Sequence, residues 1–108
     1  LDYRLGQLGL SPEQINGYTS EEFTHMNVAV AVLSGTADAG LGINAAAKAL
    51  NLDFIPVVTE QYDLIIPQVY FESTNIQVLL ETINTAAFKT RVEALGGYST
   101  VKTGTIVD

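Results

Sequence analysis

Thr24, His25, Asn27 and Val28 fall at the start of an apolar run, HMNVAVAVL, and could together hold an anion. A threonine ahead of such a run caps a helix with its hydroxyl. The amides of the first helical turn have no acceptor within the helix, and they carry the positive end of its dipole. His25 is the sole histidine of the chain. Its imidazole could donate to a bound anion, although the helix dipole disfavours the protonated ring there. The alternative is a histidine packed at the helix start and bonded to a neighbouring loop. Thr24 has two readings as well, as part of a site or as a cap needing no ligand. Asn44 opens a second helical pattern and carries the same pair of readings.

Other chemistry is weaker. Asp38 within GTADAG is a lone carboxylate flanked by alanines, which falls short of a metal site and fits a turn hydrogen bond. The Gly40-Leu41-Gly42 stretch lacks the third glycine and distant acid of a dinucleotide fingerprint, so its glycines serve close backbone approach. With no cysteine, disulfide, zinc-thiolate and cysteine-nucleophile readings fail. No serine or cysteine stands at triad spacing from His25, so the expectation is a binder without catalytic residues, metal or cofactor. A net charge of −7 with five basic residues argues against a nucleic-acid surface. No apolar run reaches the roughly 20 residues of a membrane span, and no signal peptide is visible.

The elements that must position these residues read as α/β. Leu1, Leu5 and Leu8 share a helical face, with Gly9 as the stop. Ser11-Pro12-Glu13 is a loop or short helical turn, and residues 15–18 a short candidate strand. The second helix starts between Ser20 and Thr24 and ends at Gly35, its alanines at 29 and 31 allowing close packing. Residues 37–43 suit a buried strand, followed by a helix from Asn44 to Leu50 that Asn51 closes in the left-handed conformation. Residues 54–58 and 62–66 read as two strands, and 73–95 as two helices ended by Gly96-Gly97. A polar tail runs from 98 to 108. The expected fold is an α/β lobe with a central mixed sheet flanked by helices. The opening LDYRLGQLGL has no initiator methionine and starts inside a helical pattern, which predicts a segment of a longer protein.

The ordered set THMNVAVAVLSGTADAGLGI, LDFIP, EQYDLIIP and FKTRVEALGGY resembles a periplasmic-binding-protein-like domain of type 2 topology, similar to molybdate-binding proteins. Such domains occur fused to molybdopterin-biosynthesis proteins and to helix-turn-helix regulators. The resemblance covers nearly the whole chain, as one partial domain over 1–108. It implies mainly the second of two lobes, at about 10–66, with a return segment and C-terminal helices at 67–108. The entry into the first helix that the family carries would lie upstream of Leu1. The resemblance further implies a cytoplasmic, non-enzymatic module for molybdate or tungstate, with ligand-binding amides at the Thr24 helix and Tyr62 reaching the cleft. Glu60 and Asp63 would lie at the crossing between lobes. No nucleic-acid contact, no membrane and self-association through uncovered apolar faces complete the expectation. The alternative is a structural or oligomerisation domain that retains no ligand.

Overall fold

The computed structural model describes residues 1–107. Six α-helices and one 3-10 turn follow one another: α1 (Asp2–Gln7), the 3-10 turn Pro12–Gln14, α2 (His25–Leu33), α3 (Asn44–Ala49), α4 (Gln68–Phe71), α5 (Thr74–Ile83) and α6 (Ala86–Ala94). Local chemistry explains where most of them stop. Gly9 at φ 71° closes α1, with the Leu10 amide donating to the Leu5 carbonyl at 2.9 Å and Gly9 to Gly6 at 3.2 Å. Asn51 does the same for α3 at φ 55°, where Leu52 donates to Ala47 at 2.8 Å. Both are left-handed caps that satisfy carbonyls left over at a helix end. Thr24 and Thr85 cap α2 and α6 through their hydroxyls.

The α/β expectation is overturned: among the described residues there is no strand, and the chain is helical. The segments 15–18, 37–43, 54–58 and 62–66 are turns or irregular backbone. Among the described residues, no N–H or C=O between Asp53 and Ile66 enters a backbone hydrogen bond. The reason is that β pairing is non-local. A sheet flanked by helices must be covered on both faces, and among the described residues the buried apolar ones are Leu5, Ala29, Ala46 and Ala47. Pro56 also removes a donor from the middle of its run.

The larger helix–helix contacts gather in two places. Helices α2 and α3 touch, and their buried residues are all alanines, Ala29 in α2 and Ala46 and Ala47 in α3, small side chains that permit close approach. Helices α4, α5 and α6 form a chain of contacts. Ile76, Leu80 and Ile83 of α5, and Phe88 and Val92 of α6, recur at helical spacing and are half-buried. Lys48 links the two groups: its ammonium donates to the Ala94 carbonyl at 2.9 Å, satisfying one of the last carbonyls of α6.

The surface is larger than this mass requires. The chain exposes 9188 Å², whereas a folded protein of 11.6 kDa exposes about 5,800 Å². Its radius of gyration is 18.0 Å, against about 13 Å for a closed domain of this length. At tens of micromolar the chain is therefore expected to sediment heavier than 11.6 kDa and to bind an apolar dye. Lowering the salt should weaken that association, because each chain brings a charge of −7. A clean, dye-negative monomer in sedimentation would contradict this.

Candidate functional site

Thr24 has the extended backbone of an N-cap, φ −132° and ψ 154°, and its Oγ1 accepts from the Asn27 amide at 3.0 Å. The Val28 amide donates to the Thr24 carbonyl at 3.1 Å. Both amides that the sequence pointed to thus have acceptors already. The amides of His25 and Met26 make no hydrogen bond among the described residues. They are the first two donors of α2, and geometry gives them no acceptor within the helix. The His25 side chain is exposed.

The start of α2 is held in place by Val28. A Cβ placed on Gly40 would lie 2.5 Å from Val28 Cγ1, and one on Gly42 would lie 3.8 Å from it. Gly40 is therefore a position of close approach, as read from the sequence, with the Val28 side chain filling the space. Helix α2 is anchored at its first turn to the loop that leads into α3.

Asn44 occupies the first helical position of α3, and Ile43 is the N-cap, without a side-chain cap bond. Asn44 packs instead against the turn after α6: a Cβ on Gly97 would stand 2.5 Å from its Cβ. Tyr62 is 77% exposed, and its hydroxyl lies 3.5 Å from a Glu60 carboxylate oxygen. The structure brings Thr24, His25, Asn27 and Val28 together on one helix end. No backbone hydrogen bond among the described residues joins Asn44 or Tyr62 to them. Met26 was not singled out from the sequence, although the rule that first-turn amides are orphaned applies to it as much as to Asn27.

Shallow grooves mark the surface. One, of about 280 Å³, runs beside α2 and is lined by Glu22, Asn27, Val30, Ala31, Ser34 and Thr36. The other, of about 290 Å³, is mainly apolar and lies where residues 65–67 meet α4 and α5. Among the described residues no three acids or histidines gather as a metal site, and no helix is long and apolar enough to cross a membrane. The arrangement can offer hydrogen bonds to a small anion at one helix end, from uncharged donors.

Comparison with known proteins places this chain in a family. An uncharacterized protein encoded in the 5' region of the ferredoxin 2Fe-2S gene of Clostridium pasteurianum is 39% identical over 108 residues, covering 99% of this chain and 96% of that one. The uncharacterized protein YvgK of Bacillus subtilis (strain 168) is 36% identical over 107 residues. That match takes in 99% of this chain but 34% of YvgK, so the chain spans about a third of that relative's length. No solved structure matches. The family model described as the PBP superfamily domain matches residues 1–84, and the chain belongs to that superfamily.

Proposed function

We propose that this chain is a non-enzymatic binding or sensing module for a small oxyanion, molybdate or tungstate. Its setting would be a cytoplasmic protein linked to molybdenum cofactor biosynthesis or its regulation. The observation that carries the reading is the pair of unpartnered amides, His25 and Met26, at the positive end of a nine-residue helix in a PBP superfamily chain. Oxyanions suit such an end, because partial charges on fixed N–H groups meet the ligand without moving. Between Arg4 and Lys48 the chain has no lysine or arginine, so selectivity would rest on neutral donors and hydroxyls. The module itself contacts neither nucleic acid nor membrane in this reading.

A second reading has its own support. Glu22 lines the groove that Asn27 also borders, and a carboxylate there opposes an anion. That favours a domain that serves assembly and has no retained ligand. Thermal denaturation separates the two. Millimolar molybdate or tungstate, at about 100-fold above Kd, should stabilise the folded state by about 2.7 kcal/mol, and chloride should not. An equal effect of sulfate would remove the molybdate assignment, and no effect from any oxyanion would leave the assembly reading.

A further inference from the structure

We propose that Asn16 is a site of spontaneous covalent modification, at which the Gly17 amide nitrogen converts the carboxamide to a mixture of aspartate and isoaspartate. Three observations carry this. The chain has six asparagines, and Asn16 is the one followed by glycine; the others precede Val28, Ala45, Leu52, Ile76 and Thr85. Without a Cβ, glycine leaves its own amide nitrogen open to approach and its backbone free to turn. Second, Asn16 and Gly17 are both exposed, and a Cβ on Gly17 would meet nothing within 4 Å. Hydroxide and water therefore reach the Gly17 N–H without any rearrangement of the fold.

Third, the turn leaves that nitrogen unengaged. The Tyr18 amide donates to the Ile15 carbonyl at 3.3 Å and the Ser20 amide to the Gly17 carbonyl at 2.9 Å. The Gly17 amide makes no backbone hydrogen bond among the described residues. Elsewhere the nitrogen is held. The amides after Asn27, Asn51 and Asn84 donate to the carbonyls of Thr24, Ala47 and Thr82. Asn44 and Asn75 lie in α3 and α5, where helical ψ fixes the carboxamide away from the next nitrogen. In the reaction, hydroxide takes the Gly17 amide proton and the nitrogen forms a bond to Asn16 Cγ. The carboxamide nitrogen leaves as ammonia, taking a proton from water and so regenerating hydroxide. Water then opens the resulting succinimide by breaking one of its two ring C–N bonds. Opening at Cγ gives aspartate, and opening at the main-chain carbonyl gives isoaspartate, whose backbone runs through the former side chain. Either product adds one negative charge at neutral pH.

The test holds the whole folded chain in mildly alkaline buffer and follows every asparagine by peptide mass spectrometry. Labelling by an isoaspartyl methyltransferase supplies a second readout. The Asn16 peptide should gain the mass of an amide becoming an acid, and should accept methyl groups, at a rate that rises with hydroxide. Gly17→Ala should slow this by about tenfold, the effect of a barrier raised by about 1.4 kcal/mol. Asn16→Gln keeps Gly17 and its turn and should abolish it, because the longer side chain closes a larger ring. Two results overturn the proposal: an Asn16 that reacts no faster than the other asparagines, or one that reacts only when urea has unfolded the chain. Because no oxyanion enters the experiment, its failure is distinct from a failure of ligand binding.

Discussion

Gly97→Ala is expected to destabilise the helical structure by about 3 kcal/mol, and Gly35→Ala by about half of that. Both glycines have left-handed backbone, φ 80° at Gly97 and φ 82° at Gly35. An L side chain there costs about 1–2 kcal/mol at either position. They differ in what surrounds them. A Cβ on Gly35 meets nothing within 4 Å, while one on Gly97 meets Asn44 Cβ at 2.5 Å and Nδ2 at 3.0 Å. The obstacle includes a Cβ, which can move only with its backbone, so an overpacking cost of roughly 1–3 kcal/mol is added. The consequence is a loosening of the joint where the turn after α6 rests on the start of α3. Urea denaturation followed by helical circular dichroism measures both variants. Equal losses would mean that the Asn44 contact carries no energy. Gly6 supplies the opposite sign: it lies inside α1 with nothing within 4 Å, so Gly6→Ala should stabilise by about 0.5–1 kcal/mol.

This contrast shows why parts of the fold were legible. The Thr24 cap, the left-handed Asn51 and the stops at Gly9 and Gly35 each depend on a few neighbouring residues, and all stand where local chemistry puts them. The division of 73–95 into two helices was equally local, with Thr85 as the cap between them. The short α4 was missed, since four residues behind Pro67 leave no periodicity to detect. The β-branched runs at 54–58 and 62–66 have the composition of strands, but composition supplies no partner. No described residue pairs with them, and the sheet expectation failed on that non-local requirement.

The geometry of the candidate site was legible only in part. Locating it at the start of α2 required only the orphaned amides of any helix. Choosing among those amides required knowing that the Thr24 hydroxyl takes Asn27 and the Thr24 carbonyl takes Val28. The Asn44 contact with Gly97 spans half the chain, and no local pattern encodes it. Lys48, which joins α3 to the end of α6, was invisible for the same reason.

His25→Pro is expected to weaken oxyanion binding about tenfold relative to His25→Ala. Alanine removes the imidazole and keeps the first amide of α2, whereas proline removes both. The ratio between the two variants therefore isolates one backbone donor. Proline is well accommodated at a first helical position, where no intrahelical bond is lost. The residue before it must be extended, and Thr24 at φ −132° and ψ 154° already is. The Thr24–Asn27 cap does not involve the His25 amide, so it survives in both variants. One hydrogen bond to a charged acceptor contributes roughly 1.5 kcal/mol, which is about a tenfold change in Kd. By contrast, Asn27→Pro would delete the cap donor and cost helix stability without removing a free amide. Calorimetric titration with molybdate, with helical circular dichroism as the control for folding, gives the answer. Equal affinities for His25→Pro and His25→Ala, with α2 intact in both, would exclude the first amide of α2 from the site and leave Met26 as its remaining unpartnered donor.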